Sequence, residues 1–131
     1  MQNMLNTQEE LQSFLGTNFK SMTIEERVAF IKEHSIHLNQ EINEALYTLV
    51  YFKPWKDYSS VTEEETVTSL KNYKGEMVDA FHFFMNMLLA VGFTADEFEA
   101  MYMEKNAENI RRQEAGYTHD VSYRTEEIND R

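Results

Sequence analysis

Residues 76–91, which lie between two glycines, constrain the fold more than any other part of the chain. Twelve of these sixteen residues are apolar. The other four residues are polar: Glu76, Asp79, His82 and Asn86. On a helical wheel of about 100° per residue, the four fall within one arc of about 120°. A helix that is apolar around the rest of its circumference is predicted to be buried at the centre of the protein.

The remaining sequence is also typical of helices, because one proline and four glycines leave little to interrupt them. Four helical segments are predicted from periodicity and capping signals: 4–15, 23–52 stopped by Pro54, 62–91 with a break near Gly75, and 94–116. No strand pattern, repeat or linker is visible. The prediction is an all-α, compact, oligomeric bundle of about four to five helices. We expect residues 1–117 to form one domain and residues 118–131 to form a polar C-terminal tail.

The composition excludes some binding partners and predicts a cellular location. The formal net charge of -11 predicts repulsion from nucleic acids and from anionic membranes, so neither is expected as a partner. The chain has no cysteine and therefore no disulfide framework or thiolate metal site. No basic-then-apolar N-terminal signal is visible, and a cytoplasmic location is predicted.

The polar arc of residues 76–91 has two interpretations, a solvated face or a cation site. Two carboxylates side by side repel each other, and a bound cation stabilises them. The segment "LNQEINEAL" adds Glu41 and Glu44, which share one side of a helix. Carboxylates in E-x-x-E and E-x-x-D patterns are ligands suited to Mg²⁺. A di-iron bundle fits less well, since it requires a second Glu-x-x-His pair.

The segment "KNAENIRRQEAGY" presents a cationic face on the last helix. Five polar residues fall within about 120° on the wheel: Lys105, Asn106, Asn109, Arg112 and Gln113. In so acidic a chain, an inward cationic face suggests bound phosphates. The alternative is ion pairing with Glu104, Glu108 or the carboxylates of the other helices.

Four segments resemble a known family: "QEINEAL", "KPWKD", "GEMVDAFHFFMNMLL" and "YMEKNAENIRRQEAGY". Together and in this order they resemble the dimeric all-α dUTPases, within the all-α nucleoside triphosphate pyrophosphatase and MazG-like superfamily. The resemblance covers roughly residues 38–117. It implies an enzyme, a nucleoside triphosphate pyrophosphohydrolase that converts dUTP to dUMP and pyrophosphate with Mg²⁺, for which Mn²⁺ can substitute.

The resemblance also implies residue roles. The metal ligands would be Glu41, Glu44, Glu76 and Asp79. Glu44 would act as the base that orients water, while Lys105 and Arg112 would meet the phosphates, with Asn109 in the same pocket. Residues implied around the nucleoside are Gln8, Gln12, Trp55, His82, Phe83 and Asn86. For Trp55, anchoring its loop is the alternative. Near the N-terminus, "NMLNTQEELQ" resembles the base-reading helix of the family, in which Gln8 matches a glutamine. Gln12 stands where the family pattern has an asparagine, which leaves the base preference open.

Three hypotheses follow from these patterns. The first is a dUTP pyrophosphatase, and the second is a dCTP or broad-specificity dNTP pyrophosphohydrolase of MazG type, because a side-chain amide can serve either base. The third is a non-catalytic helical module that docks a basic partner. An oligomer is expected, a homodimer or a homotetramer, because about four helices cannot cover all sides of the central one.

Overall fold

The computed structural model describes residues 1–116. These residues form four α-helices: α1 (Gln2–Phe14), α2 (Ile24–Tyr47), α3 (Glu63–Val91) and α4 (Ala95–Glu114). A short 3₁₀ helix, Phe19–Ser21, precedes α2 and was not predicted. No strand occurs within residues 1–116, and the predicted all-α class is confirmed. The predicted tail, 118–131, lies outside the described residues.

Capping boxes begin α2 and α3, as the sequence predicts. The Thr23 hydroxyl accepts from the backbone N–H of Glu26 at 3.1 Å, and the Glu26 carboxylate accepts from the N–H of Thr23 at 3.4 Å. Thr62 and Glu65 repeat the same pair of bonds at 3.1 and 3.4 Å. Each cap satisfies N–H groups that have no partner inside the helix, which is typically worth about 1 kcal/mol.

The predicted end of α2 at Phe52 is wrong, since the helix ends at Tyr47. The chain leaves the helix where Ser69 of α3 meets it. The Ser69 hydroxyl donates to the carbonyl of Thr48 at 2.7 Å and accepts from the N–H of Val50 at 2.8 Å. Because one buried side chain satisfies both backbone groups, the helix can stop well before Pro54.

The predicted break near Gly75 is also wrong, because α3 runs unbroken from Glu63 to Val91. A glycine inside a helix costs only about 1 kcal/mol relative to alanine, which packing of the flanking turns can offset. The predicted end before Gly92 is confirmed. Gly92 adopts the left-handed conformation with φ of +94°, and its N–H donates to the carbonyl of Leu88 at 3.1 Å.

The chain divides into two compact units, Met1–Thr94 and the part that begins at Ala95. In the first unit, α1 and α2 both pack against α3. Residues of α3 are buried mainly in its C-terminal half: Ala80, Met85, Asn86, Leu88 and Ala90. The predicted burial is wrong for Met77 and Val78, which are more than half exposed.

Arg27 connects three segments of the first unit. Its guanidinium donates to the carbonyl of Ala90 near the end of α3 at 2.7 Å and to the carbonyl of Phe19 at 2.6 Å. The ring of Phe19 lies edge-on to Phe30 of α2, with 5.3 Å between centroids. These contacts fix α2 in register along α3, and the register decides which side chains of the two helices meet.

Within residues 1–116, no single helix is both long and apolar enough to cross a membrane. By length and composition alone, α3 and α4 together would be.

Candidate metal centre

Three of the four carboxylates singled out in the sequence converge where α2 packs on α3. Glu41, Glu44 and Glu76 each place one carboxylate oxygen within 4.8 Å of the others. The i, i+3 spacing puts the first two on one side of α2, and the packing of α3 brings Glu76 to them. Asp79 is exposed and lies outside this group, but its charge acts on Glu41.

The electrostatics of this cluster disfavour full ionisation of its carboxylates. The pKa of Glu41 is raised above its usual value, first by burial, then by the charge of Glu44 and a hydrogen bond with it, and then by the charges of Asp79 and Glu76. Every contribution disfavours the ionised form, so the cluster repels itself when it is fully charged. Its donors are all carboxylate oxygens on half-buried or exposed side chains. That donor set fits a hard divalent cation such as Mg²⁺ or Mn²⁺.

A second polar group lies deeper in the same unit, at the contact of α1, α2 and α3. Gln8 and Asn86 are 4% and 2% exposed, and the Gln8 amide nitrogen donates to the Asn86 amide oxygen at 2.8 Å. The Asn86 nitrogen lies 3.3 Å from Nδ1 of His34. The structure therefore brings together two of the residues predicted to surround the base.

Phe83 lies beside this group and contacts two imidazoles of α2. Its ring centroid is 5.8 Å from that of His34 and 5.4 Å from that of His37. His82, predicted to border the nucleoside, has its Nδ1 2.8 Å from the carbonyl of Val78 on its own helix. The ring of Phe83 therefore lies beside His34, which contacts the buried amide of Asn86.

Two other predicted base contacts lie in different surroundings. Gln12 is buried, and its amide oxygen accepts from the hydroxyl of Thr17 at 3.2 Å, so it ties α1 to the turn that follows. Trp55 lies in the loop between α2 and α3 with 77% of its surface exposed. Both roles predicted for Trp55, contact with the base and anchoring of its loop, stay predictions.

The cationic residues of α4 belong to the second unit. Lys105 and Asn109 are exposed, whereas Arg112 is buried and its Nε lies 3.2 Å from the carboxylate of Glu108. The pKa of Glu108 is lowered to about 2, first by a hydrogen bond from Arg111 and then by the charges of Arg111 and Arg112. Ion pairing within α4 was the alternative to phosphate binding, and it is present. The phosphate contacts stay predictions.

Sequence reasoning did not single out His34 and His37. Their signal was present in "EHSIHLNQE", since His34 precedes Glu41 by seven residues, which places both on one side of α2. What the sequence lacked was their partners. His34 meets Asn86 across 52 residues of chain, and helical spacing within one segment cannot predict that contact.

Two phage proteins named dCTP pyrophosphatase are similar to this chain. The protein of Enterobacteria phage LZ5 is 41% identical over 71 residues, which cover 50% of this chain and 41% of that protein. The protein of Enterobacteria phage T4 is 28% identical over 106 residues, 69% of this chain and 62% of that protein. The chain therefore matches less than two thirds of the length of either relative. No protein-family model matches the chain, and no solved structure does.

Proposed function

We propose that the chain is a metal-dependent nucleoside triphosphate pyrophosphohydrolase that prefers dCTP. The observation that carries this proposal is the convergence of Glu41, Glu44 and Glu76 from two helices. The choice of cytosine over uracil is supported by the name dCTP pyrophosphatase of both phage relatives. The resemblance of the sequence motifs to the dUTPases supports the same reaction on a nucleotide with a different base. We therefore propose dUTP as the second candidate substrate.

The reaction cleaves one phosphoanhydride bond. A water oxygen attacks the α-phosphorus, the bond from that phosphorus to the bridging oxygen breaks, and the nucleoside monophosphate and pyrophosphate are released. Glu41, Glu76 and Asp79 would hold Mg²⁺ together with Glu44. When bound, the ion neutralises charge on the phosphates. Glu44 is exposed, so its carboxylate is open to water and is our choice for the group that orients the attacking water.

The nucleoside would lie against the polar and aromatic groups of the first unit. Phe83 and His82 would border the base and the sugar, and the exposed indole of Trp55 could stack on the base, as aromatic rings do with nucleobases. Gln8 and Asn86 carry amides that can both donate and accept hydrogen bonds, which suits the edge of a pyrimidine. Gln12 would contribute from the same helix.

Side chains of α4 would bind the triphosphate. Lys105 and Arg112 provide the charges and Asn109 a neutral amide, consistent with the usual preference of phosphates for such donors. Arg112 already pairs with Glu108. A phosphate would therefore share or replace that partner, and substrate binding should be weaker at high ionic strength because the exposed charges are screened.

The test is product analysis with dCTP, dUTP, dTTP and UTP, each with Mg²⁺ and with excess EDTA. We expect nucleoside monophosphate and pyrophosphate in equal amounts from dCTP, less from dUTP, and no product with EDTA. Adding Mn²⁺ to the EDTA-treated protein after dialysis should restore turnover. Nucleoside diphosphate and inorganic phosphate as products, or turnover that continues in EDTA, would contradict the proposal.

A further inference from the structure

A continuous line of hydrogen-bonding side chains crosses all three helices of the first unit. It runs from Gln8 on α1 through Asn86 on α3 to His34 on α2, with contacts of 2.8 and 3.3 Å. The two amides are almost fully buried. None of the three side chains is a metal ligand in the proposed function, and the sequence assigned His34 no role.

Hydrogen bonding along this line makes the orientation of each amide group depend on the side chain next to it. An amide has an oxygen that accepts and a nitrogen that donates, and a rotation of 180° exchanges them at almost no steric cost. With the nitrogen of Asn86 facing Nδ1 of His34, that ring nitrogen must carry no proton and must accept. The oxygen of Asn86 then faces Gln8 and accepts from its amide nitrogen at 2.8 Å.

The ring of His34 is held so that it cannot turn freely. It stacks on Phe30 with 3.8 Å between centroids and an interplanar angle of 20°, and it meets His37 edge-on at 5.7 Å. The charged or titratable neighbours acting on it are Glu33 and His37, both on its own helix. Its contacts on α3, Phe83 and Asn86, carry no charge.

The environment of His34 also favours the unprotonated ring. Burial lowers its pKa below the usual 6.5, Glu33 acts in the opposite direction, and His37 lowers it further. The net direction is downward, so the imidazole is neutral at pH 7 and Nδ1 is free of a proton in the tautomer that carries hydrogen on Nε2.

Cytosine and uracil differ in the pattern that an amide would read. Cytosine has an acceptor at N3 and a donor at its 4-amino group, whereas uracil has a donor at N3 and an acceptor at O4. For a base in a given position, one amide orientation matches one of the two bases and the reverse orientation matches the other. An amide that is free to rotate would therefore accept both.

We infer that His34 is a positioning residue for base selection, because its Nδ1 fixes the orientation of Asn86 and, through Asn86, that of Gln8. The inference rests on the proposed function, in which these amides face the pyrimidine. His34 does not touch the reacting atoms. Its effect should therefore appear in the choice between dCTP and dUTP rather than in the chemical step.

The test compares kcat/KM for dCTP and for dUTP in three variants. His34→Phe keeps a ring that can stack on Phe30 but removes the acceptor, and His34→Asn keeps polarity but not a fixed acceptor. We expect the dCTP-to-dUTP ratio to fall toward one by about tenfold or more in both. Asn39→Ala is the control, since Asn39 is an exposed residue of the same helix, and its ratio should equal that of the wild type.

A pH profile separates positioning from a general packing defect. In the wild type the ratio should be constant at pH 7 and above. It should change only at a pH lower than the usual imidazole pKa, since burial lowers the pKa of His34; there Nδ1 of His34 gains a proton and becomes a donor. Phosphate and metal-ligand titrations are shared by both substrates and cancel in the ratio. In His34→Phe the ratio should be low and independent of pH.

The outcomes distinguish this inference from the proposed function. An active wild type whose ratio is unchanged in His34→Phe and His34→Asn would overturn the inference and leave the function standing. A wild type that hydrolyses neither nucleotide would overturn both. If circular dichroism shows that His34→Phe does not fold, His34→Asn decides, and a ratio in His34→Asn equal to that of the wild type would overturn the inference.

Discussion

At the scale of single residues, the carboxylate cluster destabilises the fold that holds it. The pKa of Glu41 is raised by burial and by its acidic neighbours, so the folded chain holds that proton more tightly than the unfolded chain does. The sign follows from linkage. As pH rises from the usual value of 4.5 through the raised pKa of Glu41, the unfolded state ionises first and the fold loses stability. A bound cation would reverse this loss.

Replacing Glu76 by Gln tests the effect of this cluster on both activity and stability. The variant should lose turnover of dCTP by on the order of 10²–10³-fold, since a charge that would hold the metal is gone. Its thermal unfolding midpoint without metal should equal or exceed that of the wild type, because one repulsive charge is removed. Added Mg²⁺ should raise the midpoint of the wild type and raise that of the variant less.

Glu64→Gln is the matched control for Glu76→Gln, because Glu64 is an exposed residue of the same helix, in its first turn. It should keep both turnover and the response to Mg²⁺. Retention of full activity in Glu76→Gln, or a loss of the same size in the control, would show that the three glutamates do not form a functional metal site.

At the scale of elements, the junction between α2 and α3 depends on one hydroxyl. Ser69 is 6% exposed and bonds to the backbone of Thr48 and of Val50. It holds the chain where it leaves α2, six residues before Pro54, and thereby sets where the loop with Trp55 begins. An N–H and a carbonyl that are buried without a partner each carry a desolvation penalty.

Ser69→Ala should therefore lower the free energy of unfolding by about 1–3 kcal/mol. The measurement is urea denaturation followed by circular dichroism, with Ser60→Ala in the same connecting loop as control, since Ser60 is exposed. The control should change stability by less than about 0.5 kcal/mol. Equal midpoints for Ser69→Ala and the wild type would show that the junction does not depend on this residue.

At the scale of the whole molecule, the first unit exposes apolar surface that a lone chain does not normally keep. A groove of about 310 Å³ between α2 and α3 is lined by apolar and aromatic side chains, among them Leu38, Ile42 and Met77. Ile42 and Met77 are 45% and 51% exposed. Patches of this kind mark contact surfaces. The sequence predicts an oligomer, and a second copy of the chain is the partner we expect for this groove.

Light scattering tests that expectation. We expect a mass of two or four times 15.5 kDa at micromolar concentration, with an interface that buries more than ~1,200 Å². Met77→Lys should shift the mass toward that of one chain, because a charge would be desolvated at the apolar centre. Val67→Lys, an exposed position of α3 that does not line the groove, is the control. A wild-type mass of 15.5 kDa with dCTP turnover retained would contradict the prediction.

The sequence by itself determined the class of the fold and the starts of its helices. Capping boxes at Thr23 and Thr62 and the glycine at position 92 act over a few residues, so their signals are complete within a short window. The spacing of Glu41 and Glu44 is equally local, because two carboxylates three positions apart share a helix side regardless of what packs against it.

Only the tertiary structure decided which distant residues meet. The end of α2 depends on Ser69, more than twenty residues further along the chain. For that reason the prediction based on Pro54 placed the end of the helix too late. The contact of Asn86 with Gln8 and His34 depends on the register of α3 against α1 and α2. The physical reason is that helical periodicity gives the direction of a side chain from its own axis, whereas the partner it faces is set by the packing of another helix.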